Sequence, residues 1–180
     1  IDSHITVGYV LGGLAPDSDE PMPLETQRYV RENWQRIQQV IPGTVFNDAF
    51  WEKCQPRRST YPACRAVIAA AKQGAVYQEA MILAIQQAYY LSAKNPSNDD
   101  VLCECAQAIG LNVNEFLGSL HSEHTQQALK DNIAYYHHLR HQAGVSGFPS
   151  LALEVGDRLL SIPIDYNNPA ISLDFIRLAL

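Results

Sequence analysis

The hydrophobic positions along the chain change period twice. HITVGYVLGGL is a β-branched apolar run closed by a glycine pair, which predicts a buried strand, and APDSDEPMP after it predicts a loop. From Leu24 the spacing becomes helical: Val30, Trp34, Ile37 and Ile41 fall on one face, and Pro42-Gly43 ends the run. NDAFWEKC predicts a short helix capped by Asn47. STYPACRAVIAAAKQG predicts a longer one, with Thr60 as cap, Pro62 in the first turn and Gly74 as terminator. AVYQEAMILAIQQAYYLSAKN is apolar on nearly all sides around Met81, Ile82, Leu83 and Ile85, as expected of a helix in the middle of a helical cluster. Ser97 or Asn98 caps a helix over DDVLCECAQAIG, and Asn112 or Asn114 opens one around EFLGSL. HTQQALKDNIAYYHHLRHQAG closes the block, with Leu129, Ile133 and Tyr136 on its buried face and Gly144 as its stop.

After Gly144 the period drops to two. SLALEV and RLLSIPI are strand-like, and Gly156-Asp157 between them is a two-residue hairpin connection. Asn168-Pro169 then starts a final helix, AISLDFIRLAL. The predicted order is strand, helical block, hairpin, helix, without internal repeats or low-complexity segments. GVSGFPSL sits at the junction and places Pro149 at the mouth of a strand. Proline cannot donate to a sheet ladder, so Pro149 either starts the strand or serves something other than the sheet.

Composition narrows the function classes. With 180 residues, 47% hydrophobic and 18% charged, the chain can bury one sizeable core. A formal charge of −6 offers no basic stripe for phosphates, so nucleic acid is not expected as a partner. No apolar run is long enough to span a bilayer, no signal peptide is recognisable at IDSHITVGYV, and a cytoplasmic location is expected. The chain starts without methionine, directly in a strand-like run, as a processed or truncated fragment would.

The four cysteines, Cys54, Cys64, Cys103 and Cys105, form no C-x-x-C and no zinc-like pair of pairs. Cys103 and Cys105 project about 200° apart on a helix and cannot act together. Cys64 is in register with Val67, Ile68 and Ala71 on an apolar face. All four read as small core or surface thiols rather than redox centres.

VLGGLAP, STYPACRAVIAA and GVSGFPSL, in this order with helices between them, resemble the DsbA-like branch of the thioredoxin-fold proteins, and among them FrnE-like thiol–disulfide oxidoreductases and related glutathione-dependent isomerases. The resemblance implies an α-rich α/β fold: a small mixed thioredoxin-like sheet with a large helical insertion. Residues 1–23 and 144–180 would supply the thioredoxin-like portion (second strand, cis-proline loop, hairpin and final helix), and residues 24–143 the insertion. It implies a cis bond at Phe148–Pro149, and Phe148, Pro149 and Ser150 as the substrate-facing residues. The family's C-x-x-C would lie upstream of Ile1, with its strand and helix. No catalytic residue is then expected in this chain, which should be inactive or weak in dithiol–disulfide exchange. Loss of that strand would leave unpaired sheet edges, inviting a homo-oligomer or strand swap. Thiol or disulfide substrates, protein or small molecule, are the implied partners, with glutathione as a possible substrate, no resident cofactor and no membrane partner. A serine-using isomerase or transferase and a redox-silent, self-associating scaffold are the alternatives.

Rival sites are weaker. His137 and His141 share a helix face, with His138, His121 and His124 near in sequence, but HHLRH lacks the glutamate of HExxH, so solvated or partly packed histidines are expected rather than a metal site. Arg57, Arg58 and Arg65 could meet an anionic substrate such as the carboxylates of glutathione, although a charge-balanced loop is the simpler reading. Asp17, Asp19 and Glu20 lack calcium-loop spacing. Ser150 has no GxSxG elbow or triad order around it.

Overall fold

The computed structural model describes residues 5–180, which divide into two compact units, one of residues 13–130 and the other of residues 5–12 with 131–180. The named elements of the larger unit are all helices, and an isolated antiparallel bridge joins Pro21 to Arg57. Helix α1 (Leu24–Val40) leads to a single-turn α2 (Phe50–Lys53), then α3 (Tyr61–Ala71), α4 (Val76–Gln86), a π-helical turn over Gln87–Leu91, α5 (Asp99–Ala108) and α6 (Val113–Leu120). The start of α7 (Glu123–Ala143) completes it.

Helix α3 is the hub, because three of the six residues on its buried face are alanine. Ala66, Ala69 and Ala70 are fully enclosed, and such short side chains let α4, α5 and α6 come close. Met81, Leu102, Phe116, Leu120 and Leu129 fill the space between these helices. A second cluster is aromatic. Trp34 lies 4.9 Å from Phe46, 5.1 Å from Trp51 and 5.5 and 5.9 Å from Tyr89 and Tyr90, between ring centroids, with Phe50 beneath it. Tyr89 and Tyr90 are consecutive, yet both face Trp34; they sit in the π-helical turn, whose extra residue changes the angular spacing of an ordinary helix.

Cap residues at three of the predicted helix starts have other work. Thr60 precedes α3 without capping it; its Oγ1 accepts from the Ala15 N–H at 2.9 Å and donates to the Ala15 carbonyl at 3.1 Å, tying the incoming loop to the helix start. Asn98 precedes α5, and its Oδ1 accepts from Arg57 instead. Asn47 lies two residues before the cap position of α2, where its Oδ1 accepts from the Ala49 N–H. Asn112 is a true cap of α6: its Oδ1 accepts from the N–H groups of Asn114 and Glu115, its side-chain amide donates to the Glu115 carboxylate, and its backbone N–H donates to Gln73 Oε1. The segment over α4 is less enclosed than its composition predicts: Met81 and Ile85 are buried, but Leu83 is 53% exposed.

In the smaller unit α7 ends at Ala143, β1 (Leu151–Val155) pairs antiparallel with β2 (Arg158–Ile162), and α8 (Ala170–Ala179) follows. The register sets Leu151 opposite Ile162 and Val155 opposite Arg158, around the Gly156-Asp157 turn with Gly156 at φ +58°. Among the described residues the sheet has these two strands. The strand expected at HITVGYVLGGL is not formed over residues 5–11, where Val7, Tyr9 and Val10 are exposed; Ile1–His4 lie outside the described residues. β-branched composition does not make a strand by itself. A ladder partner must satisfy its backbone, and among the described residues none pairs with this segment. The unit boundaries fall after Gly12 and Lys130, so the C-terminal part of α7 belongs with the hairpin. No helix among the described residues is long and apolar enough to cross a membrane.

Candidate functional site

The loop between α7 and β1 is built from its glycines. Gly144 at φ +71° ends the helix and Gly147 at φ +75° turns the chain again, both in the left-handed region that glycine enters without a Cβ penalty. Val145 between them is buried and pins the loop. The Phe148–Pro149 peptide bond that follows is cis. Ser150 Oγ donates to the carbonyls of Gly147 at 2.8 Å and Ser146 at 3.2 Å, closing the turn. A hydroxyl engaged in this way is a structural clasp, consistent with the lack of a triad around it.

The Phe148 ring rests on Tyr136 of α7, with centroids 4.7 Å apart and planes tilted by 32°. Its other side is made possible by a glycine. A Cβ at Gly12 would stand 1.9 Å from Phe148 Cε1, so any larger residue there must displace the ring. Leu11 beside it is anchored by its N–H donating to Asn132 Oδ1 at 3.0 Å. Gly12→Ala is therefore expected to swing Phe148 off Tyr136; the loss of Tyr136–Phe148 cross-relaxation in NMR spectra would report it, and retention of that contact would contradict the packing described.

Beside the cis bond lies a cleft of about 280 Å³, lined by Gly144, Ser146, Pro149, Ser150, Leu151, Ser161, Ile162, Ile164 and Tyr166. Within the described residues the backbone N–H and C=O of Phe148 carry no hydrogen bond, so they are free to pair with a bound chain. Of the expected site residues, Pro149 and Ser150 line the cleft, whereas Phe148 turns its ring to Tyr136 and leaves only its backbone beside Pro149. Tyr166, Ile164 and Ser161 were not legible as site residues. They belong to β2 and the segment after it, and only the hairpin register carries them back to Pro149.

The thiols have a different character. Burial raises the pKa of Cys54, Cys64, Cys103 and Cys105 alike, and in Cys64 the opposing hydrogen bond from the Gly13 backbone and the charge of Arg65 do not reverse it. A raised pKa keeps a thiol protonated and unreactive near neutral pH. All four are unpaired with one another. Native protein should therefore react with iodoacetamide at pH 7.5 more slowly than free cysteine, and approach the rate of the unfolded chain only as pH rises past 9; any one thiol labelled rapidly at pH 7.5 would contradict this.

The larger unit holds a separate, charged cleft of about 640 Å³. Arg57 donates to Asp19 at 2.9 Å, to the Ser97 carbonyl at 2.6 Å and to Asn98 Oδ1 at 2.7 Å; Arg65 grips Asp17 with two parallel bonds of 2.7 and 2.8 Å. Both guanidinium heads are thus engaged within the chain, which fits the charge-balanced reading, and Arg58 stands exposed apart from them. His137, His138 and His141 are exposed on α7, and no metal-binding group of three or more ligands occurs among the described residues.

Comparison with known proteins decides the family. A thioredoxin family model matches residues 23–153. The chain belongs to the thioredoxin family. Its fold is the helix-rich, DsbA-like thioredoxin fold: it superposes on a candidate protein disulfide isomerase from Nitrosomonas europaea with a TM-score of 0.77 at 20% identity, covering 91% of this chain and 78% of that one. It superposes likewise on the cytosolic disulfide reductase DsbM from Pseudomonas aeruginosa, with a TM-score of 0.75 at 22% identity over 98% of this chain and 85% of that one. DsbM has also been solved with glutathione. In sequence the chain is 30% identical over 99 residues to the ClpXP adapter protein SpxH of Bacillus subtilis, over 55% of this chain and 33% of SpxH. It thus spans about a third of the length of the curated relatives it matches.

Proposed function

We propose that this chain carries the substrate-facing side of a FrnE-like thiol–disulfide oxidoreductase, with Phe148, Pro149 and Ser150 presenting an extended thiol or disulfide substrate to a cysteine pair supplied from outside these 180 residues. The observation that carries the reading is the loop itself: a glycine-framed cis X–Pro bond, with free backbone groups at Phe148, beside a cleft that Pro149 and Ser150 line. Such groups hold an extended chain by strand-like main-chain bonds. The four protonated thiols support the same division of labour, because none is activated for attack. The disulfide chemistry named for the structural neighbours agrees with it. A cytoplasmic setting fits the cytosolic DsbM.

Dithiol-dependent insulin reduction tests the proposal. The 180-residue chain should remain at background and a version extended with an upstream C-x-x-C should be active, with Pro149→Ala lowering that activity. Robust turnover by the chain itself, abolished by substituting Cys64 or Cys103, would overturn it. A second reading, in which the same cleft binds a protein segment without redox chemistry, is favoured by the sequence match to an adapter protein and by the lack of any C-x-x-C here. It predicts that the extended version stays at background while peptide binding persists.

A further inference from the structure

We infer that Tyr136 of α7 is a positioning residue for the loop between α7 and β1: it holds the Phe148 ring against Gly12 and so aims the unpaired Phe148 backbone at a bound chain. The inference rests on the reading of the Phe148–Pro149 loop as a substrate site and adds a residue outside the loop that sets its competence to bind.

The loop is weakly restrained from within. Gly144 and Gly147 both stand in the left-handed region, and Gly147 is joined directly to Phe148, so the backbone on that side is of the freest kind. Three anchors oppose this freedom. Val145 is buried, Ser150 Oγ clasps the carbonyls of Gly147 and Ser146, and the Phe148 ring lies against Tyr136 with centroids 4.7 Å apart. Of the three, the ring contact alone acts on the residue whose own N–H and C=O carry no hydrogen bond. The Phe148 ring is 45% exposed, so burial by itself does not hold it. Its direction comes from the tilted contact with Tyr136 on one side and the missing Cβ of Gly12 on the other.

One face of α7 supplies both sides of this clamp. Asn132 and Tyr136 are one helical turn apart and share that face, and Leu139 three residues further on is buried. Asn132 Oδ1 accepts from the Leu11 N–H at 3.0 Å, which sets Gly12 beside the loop, where a Cβ would stand 1.9 Å from Phe148 Cε1. Neither Asn132 nor Tyr136 lines the cleft, so Tyr136 acts on it through Phe148. A ring released from the clamp takes other rotamers, and the loop that carries it loses its single orientation. Affinity for a bound chain then falls with the fraction of molecules that still present the Phe148 backbone correctly.

Titration of the isotope-labelled 180-residue chain with a blocked octapeptide, leucine at its centre in a serine background, followed at the amides of Ser146–Leu151, tests the inference. Tyr136→Ala should weaken binding about three- to tenfold, the range open to a population shift when one aromatic pair is lost, whereas Tyr136→Phe keeps the ring and should bind as the native chain does. Gly12→Ala pushes the ring from its other side and should weaken binding by a like factor. In a Phe148→Ala background there is no ring to hold, so Tyr136→Ala should cost nothing further, a coupling that simple destabilisation does not produce. Urea midpoints measured alongside keep each comparison on folded protein. Tyr136→Ala that lowers the midpoint but leaves the affinity unchanged, or an effect of Tyr136→Ala that persists in full without the Phe148 ring, would overturn the positioning role and leave the substrate site standing. A native chain whose Ser146–Leu151 amides ignore the peptide would overturn the site and the positioning role with it.

Discussion

Replacing Trp34 by alanine should cost the protein about 3–5 kcal/mol, the range for emptying a buried tryptophan site. Trp34 is the one ring that touches Phe46, Phe50, Trp51, Tyr89 and Tyr90 together, so its removal leaves a void that five aromatic neighbours held at fixed angles cannot close. Domains of this kind are stable by only about 5–15 kcal/mol, so the loss is a large share of the whole. Trp51 remains as a fluorescent reporter, and the midpoint of its urea transition should fall far below that of Leu83→Ala, a control at an exposed helical position. Equal midpoints for the two variants would show that the aromatic cluster is not the mainstay of the helical unit.

The second large effect is asymmetric. Arg65 is only 7% exposed and its Nε has no partner, while the carboxylate of Asp17 that neutralises it is half in solvent. Asp17→Asn keeps the shape and removes the charge, stranding a buried guanidinium; a fully buried pair broken in this way costs about 3–5 kcal/mol, and solvent access at Asp17 reduces that to roughly 2–3. Arg65→Met removes the buried charge itself, fills the space with an apolar side chain and returns Asp17 to water, so it should cost under about 1 kcal/mol. Denaturant titration of the two single variants and the double variant separates the cases. Arg65→Met as damaging as Asp17→Asn would mean that Arg65 does more than answer Asp17 and hold the 13–23 loop on α3.

Much of the helical unit was legible because its elements carry their own punctuation. Pro42-Gly43 closely follows the end of α1 and Gly144 directly follows α7, Gly74 stands three residues past the last residue of α3, and Gly156-Asp157 turns the hairpin. Capping chemistry was less legible, since a threonine or asparagine before a helix has several possible partners and only tertiary structure chooses: Thr60 chose Ala15 and Asn98 chose Arg57. The strand expected in HITVGYVLGGL does not form over the described residues 5–14 for a related reason, because strand formation depends on a partner that local sequence cannot guarantee. At the site, Pro149 stood out by being chemically wrong for a ladder. Gly12, Tyr136 and Tyr166 carried no such mark. Gly12 matters only because the Phe148 ring occupies the space of its missing Cβ, and Tyr166 only because it returns to the cleft lined by Pro149.

The central claim is that function in this chain resides at the Phe148–Pro149 cleft and not at its cysteines or its arginine cleft. Amide chemical shifts of the isotope-labelled protein, followed while an extended leucine-centred peptide is added, test it most directly. The account predicts saturable shifts clustered at Ser146–Leu151 and Ser161–Tyr166, unchanged when all four cysteines are replaced by serine and abolished in Pro149→Ala. Shifts concentrated instead around Asp17, Arg57 and Arg65, or lost with the cysteines, would contradict it.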